Sequence, residues 1–405
     1  MVVNLKSRIW VAYKNMKTGI DRLIEEELFE LKGQRIGLLV HPASINQKLE
    51  YTLTLLHQNK DAKVIRLFGP EHGLWGIAQD MEGVDSQLDH FTRLPIISLY
   101  GHDLESLKPK PEDLKDLDVI VCDLQDVGSR YYTFIYSIIF CMEVAAKLNK
   151  KVLVLDRPNP INGNDIEGPL LQKGFESFVG AYAGLPARHG MTVGELANFI
   201  NEEHNIECDL HVIKMQGWRR DQYFDETKYP WILPSPNMPT IDTAVVYPGM
   251  CLLEATNLSE GRGTTKPFEI FGAPYIDPLI LAKELNSYNL AGVIFRPLFF
   301  KPGFQKWTHQ TCGGVQIHVT DRKQLKPYRM GVACLKAVID LYPNEFEWRE
   351  KPYEFVSDIP AIDLLTGSSK LRHELEHHQP LLQIFKSWEN DEDEFKEKRQ
   401  GYLMY

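Results

Sequence analysis

A carboxylate and an imidazole stand side by side at Glu71 and His72, inside the segment Phe-Gly-Pro-Glu-His-Gly that begins at Phe68. The apolar run 64–67 before this segment predicts a buried strand, which the glycine and the proline then end. In open α/β sheets, ligands bind beyond the carboxyl ends of the strands. Glu71 is therefore a candidate acid catalyst with His72 as its orienting neighbour, and the alternative at this point is a structural turn with a capped glutamate.

Three further loops carry polar residues. Two of them directly follow predicted strands, and the third comes later in the chain. They span residues 123–133, 156–160 and 187–192. Each allows a structural interpretation, since Asp126 can cap a turn and Arg188 can brace a helix. Because scaffolds carry functional residues on loops at one face, four such loops at one sheet edge favour a binding or catalytic site.

The segment 254–269 contains three carboxylates, two adjacent threonines and an arginine, Arg262, between two glycines. It lacks the GxxxxGK[ST] pattern of a phosphate-binding loop. Because glycines flank Arg262, we expect the backbone to approach a ligand closely here and the Arg262 guanidinium to be free to bind an anion. Glu254 and Glu260 are the candidates for a carboxylate that faces Glu71 across a cleft.

Two acidic groups, cationic side chains and nearby aromatic rings suit a carbohydrate substrate. Cleavage of a glycosidic bond needs a protonated carboxyl group that donates to the leaving oxygen, and a second group that acts as nucleophile, base or charge stabiliser. Trp75 is expected to form an apolar wall that raises the pKa of Glu71. The second catalytic group is predicted to be Glu260 or Asp123. For a 2-acetamido sugar, the amide oxygen of the substrate itself can attack.

The elements that position these residues alternate between strands and helices, which predicts βαβ units and a largely parallel sheet. Strands are expected at 35–40, 64–67, 94–100, 118–123 and 151–156, with helices at 46–57, 134–148 and 193–200. We therefore predict an α/β fold with a Rossmann-like domain over residues 1–240. A smaller α+β domain over 241–405 is expected to complete an active-site cleft between the two. The GxGxxG turn of dinucleotide-binding folds is missing, which disfavours a nucleotide-dependent oxidoreductase.

Composition narrows the class of protein. The net charge of −10 disfavours nucleic acid as a partner, and the lack of a run of eighteen apolar residues disfavours a membrane span. Met1–Trp10 shows no signal-peptide pattern, and the six cysteines are scattered without zinc-ligand spacing. We therefore expect a cytoplasmic protein without a metal or other cofactor. Export is not excluded if a leader has been removed, and the oligomeric state is open.

Six motifs of this chain resemble the exo-β-N-acetylmuramidase family, long known only as a domain of unknown function, DUF1343. They are FGPEHG, DLQDVGSRYYT, LDRPNP, RHGMT, PSPNMPT and EATNLSEGRGTTKPFE. The resemblance extends from about residue 18 to the C-terminus. It implies a Rossmann-like domain, a smaller C-terminal domain and a site in the cleft between them, without a metal or nucleotide. It also implies release of N-acetylmuramic acid from the non-reducing ends of peptidoglycan fragments in cell-wall recycling, and a catalytic role for Glu71.

The sequence thus predicts a glycoside hydrolase whose substrate is a small muropeptide or glycan fragment. The arginines are expected to hold the lactyl carboxylate of the substrate. The residues predicted to bind substrate are Gln125, Arg130, Tyr132, Arg188, His189, Asn237, Asn257, Arg262 and Thr264. The alternative is a non-catalytic protein that binds a sugar acid or a cell-wall fragment in the same cleft.

Overall fold

The computed structural model describes residues 16–405 of the chain, so the prediction for Met1–Trp10 lies outside the described residues. A short helix, α1, covers Gly19–Arg22 and continues as a π turn and a 3₁₀ turn to Leu31. None of the helices in the described part of the chain has the length and apolar content needed to span a bilayer.

A seven-stranded sheet forms the larger part of the fold. Its strands are β1 Arg35–Val40, β2 Lys63–Gly69, β3 Gln87–Leu88, β4 Pro95–Ser98, β5 Val119–Asp123, β6 Lys151–Leu155 and β7 Asp209–Ile213. Their order is β3-β4-β2-β1-β5-β6-β7, and every neighbouring pair is parallel except β3 and β4. The predicted Rossmann-like, largely parallel sheet is confirmed. Sequence reasoning did not predict β3, which has two exposed residues, or β7, whose mixed polar and apolar residues lie at the sheet edge.

Helices cover the faces of this sheet between its strands. They are α2 Thr52–His57, α3 Pro111–Leu114, α4 Phe134–Lys147 and α5 Val193–Glu203. The prediction of one helix over 46–57 is wrong in its first half. The Asn46 side chain accepts hydrogen bonds of 2.9 Å from the backbone N–H groups of Lys48 and Glu50, which folds that stretch into a turn.

A second, smaller sheet and seven helices form the C-terminal part. The strands are β8 Ile270–Ala273, β9 Val293–Phe300 and β10 Cys312–Val319, antiparallel in the order β8-β10-β9. The helices are α6 Ile241–Met250, α7 Pro278–Ser287, α8 Pro327–Leu341, α9 Ala361–Thr366, α10 Lys370–Glu376, α11 Leu381–Lys386 and α12 Glu389–Lys398. The predicted class, an α/β domain followed by a smaller domain, is confirmed, while the exact boundary at residue 240 stays a prediction.

Helices α6 and α8 pack with their backbones in contact at Gly249 and Gly331. A methyl group added to Gly249 would overlap the carbonyl oxygen of Pro327, and one added to Gly331 would overlap the carbonyl oxygen of Gly249. Directly after α6, the chain forms a 3₁₀ turn over Cys251–Ala255. The close packing of the two glycines therefore sets where the buried residues of this turn lie.

We expect Gly249→Ala to lower the free energy of unfolding by about 1–3 kcal/mol, because overpacking here pushes against rigid backbone and separates α6 from α8. Urea unfolding followed by circular dichroism measures this change. Gly401→Ala is the control, since a methyl group at Gly401 meets no atom within 4 Å. Equal unfolding midpoints for the two variants would contradict the proposed packing constraint.

Candidate active site

Glu71 lies in the turn that follows β2, where Pro70 ends the strand. Its side chain is buried, and its Oε2 accepts a hydrogen bond of 2.7 Å from the hydroxyl of Thr133, the residue that precedes α4. The next residue, His72, has a left-handed backbone with φ of 68°. Its Nδ1 lies 3.0 Å from the carbonyl oxygen of Ala78. Because a carbonyl only accepts, Nδ1 carries the hydrogen and fixes the ring beside Glu71.

A cavity with a volume of about 40 Å³ encloses the Glu71 side chain. Both parts of the fold contribute to it. Its polar and charged walls include Glu71, His72, Asp80, Tyr132, Thr133, Asn237, Tyr247, Glu254, Arg262 and Glu354. This volume suffices for a few water molecules and is far below the roughly 300–1,000 Å³ of a typical ligand pocket. The structure therefore shows the site closed, and a sugar needs it to open.

Arg262 is the main cation of this cavity. Its guanidinium lies 2.9 Å from Glu254, 3.0 Å from Glu260 and 3.3 Å from Asp80, and 4.9 Å from the centre of the Phe268 ring. Burial alone would lower the pKa of Arg262, but the three carboxylates outweigh it and raise the pKa well above its ordinary value. The expectation that this guanidinium is free to bind an anion is wrong in the closed state, because a carboxylate faces each of its nitrogens.

Glu254 and Glu260 belong to different electrostatic environments although both contact Arg262. Burial opposes ionisation of Glu260, but Lys306 at 2.9 Å and Arg262 outweigh it and lower the pKa of Glu260 to about 2. For Glu254, burial dominates and raises the pKa above its ordinary value despite the attraction of Arg262. Its Oε2 accepts a hydrogen bond of 2.7 Å from the Tyr353 hydroxyl. Glu254 lines the cavity, whereas Glu260 is held as an ion-paired carboxylate beside it.

Glu354 is a cavity residue that sequence reasoning did not predict. It is buried, and its Oε2 accepts a hydrogen bond of 3.0 Å from the Tyr100 hydroxyl. Burial, and after it the charge of Glu71, raises the pKa of Glu354 well above its ordinary value. Glu354 lies outside the six motifs that carry the family resemblance. Its position between two aromatic residues was the only feature of the sequence that could have indicated a site residue. Asp80 was also missed, and its Oδ1 accepts from the Gln305 amide at 3.0 Å.

Several predicted site residues lie outside the cavity walls. Asp123 is fully buried and accepts hydrogen bonds of 2.5 and 2.8 Å from Arg157. The Arg130 guanidinium donates to the backbone carbonyl oxygens of Leu185 and Leu365. Arg188 pairs with Glu167 at 2.7 Å and with Asp165 at 3.1 Å. These contacts give each of the three a structural role, and none of them lines the cavity of Glu71.

Four other predicted residues make structural hydrogen bonds away from Glu71. The Gln125 amide donates to the carbonyl oxygens of Asp126 and Pro158, and the Thr264 hydroxyl donates to that of Gly261. His189 accepts from the backbone N–H of Met191. Asn257 lines a separate surface cavity of about 630 Å³. Tyr132 and Asn237 line the Glu71 cavity, and their role in binding substrate stays a prediction.

Trp75 does not form the predicted wall against Glu71. Its indole N–H donates to Asp89 at 3.1 Å, and its ring packs edge-on against Tyr51 and Phe91. The apolar surface of the cavity comes instead from rings such as Phe134 and Phe268. Trp75 lies on the turn after Glu71, but that turn directs its ring outward from the cavity. Within residues 16–405, no three His, Cys, Asp or Glu side chains are grouped to hold a metal ion.

Carboxyl groups enclosed with aromatic walls at the carboxyl edge of a parallel sheet define a glycoside hydrolase of α/β architecture. Two family models agree with this class. The exo-β-N-acetylmuramidase NamZ N-terminal model matches residues 36–242, and the corresponding C-terminal model matches residues 245–405. The chain belongs to the exo-β-N-acetylmuramidase NamZ family, which confirms the resemblance found in its motifs.

Individual proteins of known sequence or structure are similar to this chain along nearly its whole length. The chain is 45% identical over 390 residues to the peptidoglycan β-N-acetylmuramidase NamZ of Bacillus subtilis (strain 168), covering 96% of this chain and 91% of the relative. A crystal structure of a DUF1343 family protein from Bacteroides fragilis NCTC 9343 superposes with a TM-score of 0.86 at 36% identity, over 96% and 99% of the two chains. A second such protein from that organism gives a TM-score of 0.75 at 29% identity, over 97% and 99%.

We expect Glu260 to make stability depend on pH in the acidic range. Its folded pKa of about 2 lies below the ordinary glutamate value of about 4.3, so the native state binds fewer protons than the unfolded chain. The stability that Glu260 contributes is thus present above about pH 4.3 and is lost as pH falls towards 2. Calorimetry should show a steeper fall of Tm in this window for the wild type than for Glu260→Gln. Asp358→Asn, at an exposed carboxylate, should keep the wild-type slope, and parallel curves for all three proteins would contradict the expectation.

Proposed function

We propose that this enzyme hydrolyses the glycosidic bond of terminal, non-reducing N-acetylmuramic acid in peptidoglycan fragments. The observation that carries the proposal is the burial of the Glu71 carboxyl group in a cavity that it shares with other carboxyl groups and with Arg262. Family membership and the name of the B. subtilis relative support the same substrate. A small muropeptide or a short glycan fragment is thus the proposed partner in solution.

Glu71 is the proposed catalytic carboxyl group, and its role predicted from the sequence is that of general acid. The Thr133 hydroxyl holds its Oε2, which leaves the second oxygen of the carboxyl group to face the cavity or a substrate. His72 supports the turn through its bond to the Ala78 carbonyl oxygen. A protonated carboxyl group in this position donates to the leaving oxygen while the acetamido oxygen of the substrate attacks the anomeric carbon.

The shape of the cavity supports an exo-acting mode. Residues from the turn after β2 and from the C-terminal part bound it together, and its volume is about 40 Å³ in the closed state. A small pocket bounded from both parts of the fold accepts the end of a glycan chain. A groove that accepts the interior of a glycan chain has instead to be open along its length.

Arg262 is the proposed partner of the lactyl carboxylate of N-acetylmuramic acid. Of its three carboxylate contacts, the one to Asp80 is the longest at 3.3 Å, and the Asp80 side chain retains 18% exposure. When the site opens, the lactyl group takes the place of Asp80 beside the guanidinium. A carboxylate of the substrate then replaces one of the protein, so the charge around Arg262 is unchanged.

The compartment proposed is the cytoplasm. All six cysteines, which lie at positions 122, 141, 208, 251, 312 and 334, are buried free thiols in the structure. Free thiols persist where glutathione and thioredoxin keep cysteines reduced. Localising the tagged protein by cell fractionation tests this part of the proposal.

We expect Glu71→Gln to lower kcat by about 10²–10⁴-fold while the affinity for a muropeptide stays near that of the wild type, because only proton transfer is lost. Release of N-acetylmuramic acid and calorimetric binding measure the two quantities. Asp85→Asn, at a side chain with 92% exposure in the same loop region, is the matched control and should keep full activity. A wild type that binds but never turns over would instead establish the alternative, a non-catalytic sugar-acid binding protein.

A chromogenic aryl β-N-acetylmuramide and the matching β-N-acetylglucosaminide differ only in the lactyl group. We expect kcat/KM to be about 10- to 100-fold higher for the muramide, since a hydrogen bond to a charged group contributes about 1.5–3 kcal/mol. Initial rates on the two substrates give this ratio directly. Equal rates on the two substrates would contradict the proposal that Arg262 binds the lactyl carboxylate.

A further inference from the structure

Glu354 lies at the tip of a two-residue turn. The flanking residues Tyr353 and Val356 exchange two backbone hydrogen bonds of 2.9 Å, as the ends of a tight hairpin do. The two central residues both have left-handed backbones, with φ of 45° at Glu354 and 67° at Phe355. Turns with two positive φ values in succession strongly prefer Asn and Gly, so a glutamate and a phenylalanine are unfavourable there.

Such unfavourable backbone persists only where the surroundings hold it in place, and it concentrates at functional sites. Three contacts hold this turn. The Tyr100 ring packs 5.6 Å from that of Phe355, the Tyr100 hydroxyl donates to Glu354, and the Tyr353 hydroxyl donates to Glu254. The strained conformation directs the Glu354 side chain into the cavity of Glu71.

The groups that face Glu354 come from three segments of the chain. They are Glu71 and Asp80 from the region after β2, Tyr100 after β4, and Glu254 from the turn after α6. The carboxylates of Glu254 and Asp80 contact Arg262, whereas Glu354 accepts its hydrogen bond from the neutral Tyr100 hydroxyl. Glu354 and Glu71 are therefore the two cavity carboxyl groups that accept from a hydroxyl group, of Tyr100 and Thr133, and form no ion pair with Arg262.

We propose that Glu354 is the second catalytic carboxyl group of this enzyme and that it works as a pair with Glu71. The proposal rests on the function proposed above and replaces Glu260 and Asp123 in that role. Both side chains line the same small cavity, and the interaction with Glu71 opposes ionisation of Glu354. Burial is the first cause of the raised pKa of Glu354, and the interaction with Glu71 is the second.

The pair supplies both functions that the reaction needs. The protonated member gives its proton to the leaving oxygen as the bond from that oxygen to the anomeric carbon breaks, and the acetamido oxygen bonds to the same carbon. The ionised member accepts a hydrogen bond from the acetamido N–H and stabilises the developing positive charge. Water then adds to the anomeric carbon, the acetamido group is released, and the proton lost by the water returns to the pair.

The test is Glu354→Gln, which keeps the size of the side chain and an oxygen that accepts from Tyr100. We expect kcat to fall at least about 100-fold with KM within about threefold, and we expect one limb of the bell-shaped pH profile to disappear. Asp358→Asn is the matched control, because it removes an exposed carboxylate from the same segment and should keep wild-type kinetics. A kcat within threefold of the wild type, or an unchanged pH profile, would overturn the proposal.

Glu354→Asn separates catalysis from folding. Asparagine tolerates the left-handed conformation better than glutamate, so Tm should not fall below that of the wild type while activity is lost. Full activity in this variant would refute a catalytic role for Glu354. If the wild type itself releases no N-acetylmuramic acid, the proposed function fails; if it does and the Glu354 variants match it, only the pairing fails.

Tyr100→Phe tests the positioning of Glu354. The Tyr100 hydroxyl stabilises the ionised form of Glu354 and lowers its pKa, so its loss should shift the corresponding limb of the kcat profile to higher pH. A purely structural role for Tyr100 would change Tm and leave the position of this limb unmoved. The direction of the shift therefore identifies Glu354 as the titrating group.

Discussion

The buried guanidinium of Arg262 is the interaction on which the rest of the site depends. It contacts Glu254 and Glu260 from its own part of the chain and Asp80 from the region after β2, so it joins the two parts of the fold. Buried carboxylates are stable only when paired or hydrogen-bonded, and leaving them unpaired costs about 3–5 kcal/mol. Without this cation, acidic groups at such a density could not be buried together, and the cavity would not close around Glu71.

The same constraint gives the acidic residues different proton affinities. Lys306 and Arg262 lower the pKa of Glu260 to about 2, whereas burial and the interaction with Glu71 raise the pKa of Glu354 well above its ordinary value. Environments that push carboxyl groups apart in this way are how enzymes run acid and base chemistry in one site. The charge distribution thus places carboxyl groups of different proton affinity in and directly beside one small cavity.

Some of the residues with left-handed backbone lie at the site. His72 and Glu354 both have left-handed backbones. His72 directly follows Glu71 in the turn after β2, and Glu354 lies at the tip of a two-residue turn. Each of these turns presents a carboxyl group to the cavity. The glycine contact between α6 and α8 holds the turn that carries Glu254. Rigid helices and a parallel sheet thus support a few unfavourable residues, which is the expected distribution of strain in an enzyme.

The sequence by itself determined most of the strands and helices, the family, and the place of Glu71 directly after a buried strand, because apolar runs, glycines and long motifs act locally. Arg130, Arg188 and Arg262 lie in similar polar loops, so the sequence predicted the same role for all three. In the structure, Arg130 donates to backbone carbonyl oxygens and Arg188 pairs with Glu167, whereas Arg262 lines the site. The difference comes from neighbours that are distant in the sequence. Tyr100 and Glu354 are 254 residues apart, and their contact has no local signal. The tertiary structure decided the pairing and protonation of the charges, because burial and Coulomb interactions depend on which distant segments meet.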